Sequence, residues 1–368
     1  MRWAEMHGER EVSDLAYGMD FRMPIYRREV FLRFWEFHLK HRSHPGCVYY
    51  LMPALAATHG WSVEQRLWFA YINGNTQNPV TSYRILKAFP SLEDLDEFAL
   101  ERWFNEHYKQ LYFDTDRRHQ KPRFLQCVSN YRSLVAPQTQ EEFFKLFDHG
   151  GPEQMFRNLW RFCMDNYDHF GRLSVFSYLE YLRVMGLPVE CDQLFLDDME
   201  GSKSHRNGLC KVLGRDDLDW HHSNPSFSGR YDESTLRWLD DEAHQLLREA
   251  KARMPNQPDV GFFTLESALC TYKSWHRPNR RYPNVYNDML VGRIRESEGA
   301  WHDELEIFWA IRRQALPRDL RLEDNPADCG VKPRKQNHYR LTGQTVMMDT
   351  EWECFRNDFN DDVRRRQA

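Results

Sequence analysis

Apolar residues recur at helical spacing along most of the chain and period-two alternation is rare, so the pattern predicts helices with few or no strands. Local punctuation supports this reading. Ser62 stands three residues before Gln65, the spacing of a capping box, and opens WSVEQRLWFAYIN. Pro79 can occupy the first turn of VTSYRILKAF, which Pro90 ends. Ser91 is expected to start SLEDLDEFALERWFNEHY, whose early acids suit a helix N-terminus. Thr139 and Glu142 form a second box before EEFFKLF, and Pro152 opens EQMFRNLWRFCMDNYDHF. SVFSYLEYLRVM stops at Gly186-Leu187-Pro188, and Glu233 to Arg253 reads as a long amphipathic helix stopped by Pro255. Helices over 264–275, 285–298 and 302–316 complete the set. The expected fold is mainly α, a multi-helix globule rich in large aromatics.

Length adds an expectation about domains. At 368 residues the chain fits about two domains of ~150 residues. A helical domain over 1–186 is expected, then a second over 187–320 that carries the polar clusters, then a loop and basic tail over 321–368. Apolar residues make up 41% and aromatics 14%, enough for a large core without staples. No apolar run approaches a membrane span and the N-terminal MRWAEMHGEREVSD has no apolar leader core, so a cytoplasmic protein without a membrane partner is expected. The eight cysteines at 47, 127, 163, 191, 210, 270, 329 and 354 include no CxxC pair, which argues against a disulfide framework or a zinc site. His205 and His221-His222 lack metal-ligand spacing, so no metal is expected. P-loop, CxxxCxxC, GxGxxG and GxSxG patterns are missing, and no cofactor is expected.

The net charge of −5 disfavours a non-specific nucleic-acid coat protein. Of the 50 basic residues, 39 are Arg. An Arg fork suits phosphate and carboxylate, although GC-rich codon usage gives the same bias.

The densest chemistry lies in TLESALCTYKSWHRPNRRYPNVYND, residues 264–288. Glu266, Cys270 and Lys273 stand at i, i+4 and i+7 and therefore share one helix face. Their neighbours are small or apolar, so this face calls for a ligand or an ion pair unless it is solvated. Arg281 and Tyr282 precede Pro283, where guanidinium forks and helix N–H groups can seat a phosphate; Tyr286 and Asp288 follow in the first turns. A surface basic loop fits the same residues. A second cluster holds Asp198, then His205, Arg206 and Asn207 before Gly208, where a ligand could approach closely. An Asp near a His and an Arg can act as base or orienter, and the composition also suits a plain soluble turn. Trp68, Asn73 and Asn75 combine a stacking ring with amides able to read base edges, or else mark a helix end at Gly74.

The pattern Leu265-Glu266-x-x-Leu269-Cys270-x-x-Lys273, then Arg281-Tyr282-x-x-x-Tyr286-x-Asp288, resembles phage enzymes of thymine hypermodification. Ser204-His205-Arg206-Asn207-Gly208-Leu209 and WFAYINGNTQ also fit. This group comprises the amino acid:DNA transferases and the alpha-glutamyl/putrescinyl thymine pyrophosphorylases, helical proteins distantly similar to DNA glycosylases. The resemblance implies a transferase acting in an infected bacterial host on double-stranded DNA that contains phosphorylated 5-hydroxymethyluracil. It would replace the (pyro)phosphate with the amine of an amino acid, commonly glycine. Residue by residue, Glu266, Cys270, Asp198 and Asp288 would serve catalysis. His205, Arg206, Asn207, Lys273, Arg281, Tyr282 and Tyr286 would hold substrate and phosphate, and Trp68, Asn73 and Asn75 the nucleic acid. A non-catalytic DNA-binding protein and a base-excising glycosylase-like enzyme are the alternatives.

Overall fold

The computed structural model describes residues 24–40, 47–198, 201–219, 231–274 and 287–316. Among them the regular structure is helical and there is no strand. The helices are α1 (Pro24–Lys40), α2 (Val48–His59), α3 (Val63–Thr76), α4 (Pro79–Ala88), α5 (Glu97–His107), α6 (Arg117–Gln120), α7 (Phe124–Val135) and α8 (Gln140–Lys145). They continue with α9 (Pro152–Asn166), α10 (Arg172–Val184), α11 (Lys203–Val212), α12 (Glu233–Arg253), α13 (Phe262–Ser274), α14 (Asn287–Trp301) and α15 (Glu306–Ala315). None of these helices is long and apolar enough to cross a membrane.

Both capping boxes form: Ser62 with Gln65 ahead of α3, and Thr139 with Glu142 ahead of α8. Asn78 caps α4 through the Val80 and Thr81 N–H groups, and Pro79 and Pro152 take first-turn positions. One helix start differs from expectation. Ser91 accepts only from the Asp94 N–H in a short turn, while Asp96 accepts from both Phe98 and Ala99 and starts α5. The carboxylate that satisfies two orphan donors sets the boundary.

The chain forms two compact units, and neither is one continuous stretch of sequence. One comprises the described residues of Gly46–Asp192 and Met289–Leu316; the other takes the described residues of Met1–Pro45 and Gln193–Asp288. We call them the aromatic unit and the polar unit.

The aromatic unit packs α3 against α4 and α10. Gly74 lets α3 come close to α10: a Cβ there would lie 3.1 Å from the Tyr178 Cβ. Tyr71 stacks on Tyr131 at 3.7 Å between ring centroids, with Trp68, Phe170 and Tyr178 around them, and the Tyr71 hydroxyl donates to the Cys127 carbonyl at 2.6 Å. Buried rings of this size carry much of a core's stability, and the hydroxyl needs such a partner once water is gone.

In the polar unit α11 and α13 pack most closely, with α1 against both. Phe31, Phe34, Trp35 and Tyr272 fill the contact, Phe31 meeting Tyr272 edge to face at 5.4 Å. Its periphery is laced by Arg28 with Glu242 and Glu249, and by Arg27 and Lys211 with Asp216.

Candidate active site

Gly208 explains how α11 and α13 bring their polar side chains together. A Cβ built there would sit 2.1 Å from the Leu269 carbonyl oxygen, so only glycine allows this crossing. The close approach expected for a ligand at Gly208 is thus taken by the backbone of α13.

On either side of that crossing the two helices pair their polar groups. His205 is fully buried and its Nδ1 lies 2.8 Å from Glu266 Oε1, while Nε2 lies 2.7 Å from the Leu194 carbonyl oxygen. A carbonyl only accepts, so Nε2 carries the hydrogen. The contact at Nδ1 ties α11 to α13 through imidazole and carboxylate. Ser267 donates to the other carboxylate oxygen, Glu266 Oε2, at 3.3 Å.

One turn along α13, Cys270 Sγ lies 3.1 Å from Ser204 Oγ, and Lys273 Nζ donates to the same hydroxyl. Cys270 and Lys273 are half-buried, whereas Cys47, Cys127, Cys163, Cys191 and Cys210 are buried. Burial pushes the Cys47 thiol up to about 11 and the Cys210 thiol up to about 12, so these two are inert core groups at neutral pH. The structure brings Glu266, Cys270, Lys273 and His205 together and adds Ser204 and Ser267. Ser204 begins the stretch that carries the family resemblance, whereas nothing in the sequence ranks Ser267 above its neighbours.

Arg206 and Asn207 need correction as ligand-facing groups. Both are buried. The Arg206 guanidinium donates to the Leu196 and Asp198 carbonyls at 2.9 and 3.0 Å and lies over the Tyr231 ring at 5.0 Å. It fixes the turn that leads into α11. Asp198 Oδ1 accepts from the Gly201 N–H at 2.7 Å, which makes this carboxylate a turn cap. Arg281, Tyr282 and Tyr286 lie outside the described residues, and Asp288 is placed only by its backbone in α14. Among the described residues no cluster of His, Cys, Asp and Glu could hold a metal ion.

Trp68, Asn73 and Asn75 are the second correction. All three are fully buried. Trp68 Nε1 donates to the Phe89 carbonyl, and Asn73 Oδ1 accepts from Ser82. Asn75 Oδ1 accepts from Arg117, which also bonds the Asn75 and His169 carbonyls. An amide whose oxygen is held by a buried guanidinium cannot read a base edge.

Comparison with known proteins decides the family. The amino acid:DNA transferase family matches residues 48–281, well over half of the chain. The chain belongs to the amino acid:DNA transferase family. It is thus an enzyme, a transferase whose substrates are an amino acid and DNA. A protein of Salmonella phage ViI named Serinyltransferase is 27% identical over 360 residues, covering 91% of this chain and 87% of the relative. No solved structure matches the chain. In a transferase of this family, the paired groups of α11 and α13 form a candidate active site.

Proposed function

We propose that this transferase acts on 5-hydroxymethyluracil that has been phosphorylated in DNA, displacing the (pyro)phosphate with an amino acid. The observation that carries the assignment to this site is the His205–Glu266 pair two turns of α13 from Lys273, in a chain of this family. The name of the phage ViI relative supports serine as the amino acid, in place of glycine.

The target base leaves the stack to be reached, at a cost of a few kcal/mol. The bond between the exocyclic carbon and the phosphate oxygen breaks, and the phosphate departs with the electron pair. Lys273 faces this departing charge as an ammonium. The amino acid's nucleophile bonds to the exocyclic carbon and releases a proton. Glu266 Oε2, the carboxylate oxygen that His205 does not hold, takes that proton while the imidazole stabilises the partner oxygen. Serine carries two such nucleophiles, its amine and its hydroxyl, and both obey the same balance. Cys270, which lies beside Ser204, adds transiently to the pyrimidine ring in this reading.

The test is mass spectrometry of nucleosides after incubating the full chain with DNA containing phosphorylated 5-hydroxymethyluracil and a pool of amino acids. A nucleoside heavier by seryl is the expected product, and its fragmentation identifies the linking atom. A glycyl product would reassign the donor. Release of a free modified base would replace transfer with excision, and unchanged nucleosides with the DNA still bound would remove the proposed substrate.

A further inference from the structure

A second polar site lies in the aromatic unit, where the loop before α6 meets α14. Asp114, Thr115, Arg118, Gly292, Arg293 and Glu296 line a cavity of about 300 Å³. Its walls alternate in sign. Arg293, buried, donates from Nε to Asp114 Oδ2 at 2.5 Å. Arg118 is anchored by Nε on the Thr115 carbonyl at 3.1 Å, and Thr115 holds the left-handed conformation, φ 51°, that turns the loop there. Glu296 is exposed at the rim. Its carboxyl is pushed up by burial and by the nearby Asp114 charge, consistent with two acids converging on one space.

Two carboxylates in this lining repel a phosphate, so the cavity is not a seat for nucleotide or DNA backbone. Two guanidiniums repel a simple cation in the same way. The small ligand that satisfies both signs at once carries an ammonium and a carboxylate a few bonds apart.

Gly292 supplies an independent observation. Glycine inside a helix weakens it relative to alanine and is usually explained by close packing or by an unusual backbone angle. Neither applies here: a Cβ at 292 would meet nothing within 4 Å. Gly292 is itself one of the residues that line the cavity.

The geometry points to this cavity as the binding site for the free α-amino acid substrate, with Arg118 on its carboxylate and Asp114 and Glu296 on its ammonium. This rests on the reading of the chain as a transferase that uses a free amino acid, and it assigns that substrate a site of its own.

Calorimetric titration of the full chain with serine, in the presence of the substrate DNA, tests the assignment. N-acetylserine and serinamide, each lacking one charge, are the control ligands. Gly292→Leu fills the cavity and Glu296→Gln removes one charge at its rim; Gly292→Ala checks that the helix tolerates a side chain. Serine is expected to bind the native chain, with affinity at least about tenfold weaker for either control ligand and for Gly292→Leu and Glu296→Gln. No serine binding to the native chain, or equal binding by native and Gly292→Leu proteins with intact helicity, overturns the proposal. Transfer assays separate it from the reaction. If the native enzyme transfers serine and Gly292→Leu leaves KM for serine unchanged, the cavity assignment falls and the reaction stands. If no transfer occurs but serine binds and Gly292→Leu abolishes it, the site stands and the proposed reaction falls.

Discussion

Polar residues stand within apolar helical sequence in both the aromatic and the polar unit, and the two put them to different use. In the aromatic unit Asn73, Asn75, Ser82 and Arg117 are buried, and the bonds they make run to backbone and to other buried side chains. In the polar unit His205 and Glu266, and likewise Ser204, Cys270 and Lys273, are also paired, but Ser204, Glu266, Cys270 and Lys273 keep part of their surface open. A closed network adds specificity to a core. A paired network with an open edge can exchange protons and contact a substrate. The difference lies in access to the edge.

Gly208→Ala breaks the comparison most severely. The added methyl would meet the Leu269 backbone carbonyl at 2.1 Å, and no rotamer relieves a clash between two helix backbones. Loss of about 3 kcal/mol or more is expected, with α11 and α13 forced apart and activity lost with them. Thermal unfolding and a transfer assay read both; an unchanged Tm would show that the two helices do not cross this closely. Trp68→Ala should cost about 3–5 kcal/mol through the cavity it leaves. Its signature is reduced stability with DNA affinity per folded molecule unchanged, because the ring is buried. A selective loss of DNA binding would return Trp68 to the interface.

Glu266→Gln sharpens the contrast from the other side. It preserves shape and should cost little stability, yet lower kcat by ~10²-fold if the carboxylate takes the proton. Turnover within a few-fold of native would remove Glu266 from catalysis and leave the His205 contact as a structural tie. Cys270→Ser separates the sulfur from its position: about tenfold or greater loss with an intact fold would support covalent addition to the pyrimidine, and near-native turnover would eliminate it.

Helix ends were the most legible part of the sequence, because a cap is a local transaction between neighbours; Ser62 with Gln65 and Thr139 with Glu142 both close as their spacing predicts. The shared face of Glu266, Cys270 and Lys273 was legible for the same reason, since helical periodicity fixes it. What meets that face was not. Nothing along α13 announces that His205 and Ser204 stand opposite, and Gly208 gives no sign that its neighbour is a helix carbonyl instead of a ligand. Burial of Trp68, Asn73 and Asn75 was illegible too: it depends on Arg117, Ser82 and Phe89, whose pairing is tertiary. Nor can periodicity tell which helices share a core, and α1 packs on α11 and α13 from far upstream in the sequence.

The smallest expected effect concerns the polar unit's rim, away from the paired site. Burial would raise the Asp216 carboxyl, but hydrogen bonds from Arg27 and Lys211 outweigh it and hold the group down at about 2. An unfolded Asp titrates near ~3.9, so the folded state binds fewer protons between these values. The carboxylate's contribution is therefore fully present above pH ~4 and is lost as the pH falls through about 2. Because the side chain is 49% exposed, solvent screens the pair and its worth is about 1 kcal/mol or less at neutral pH. Asp216→Asn should lower Tm slightly at pH 7 and lose its difference from the native protein near pH 2. A deficit that persists unchanged at pH 2 would mean that Asp216 acts by packing and not by charge. Transfer activity should follow neither change, since the paired groups of α11 and α13 do not depend on this carboxylate for their own hydrogen bonds.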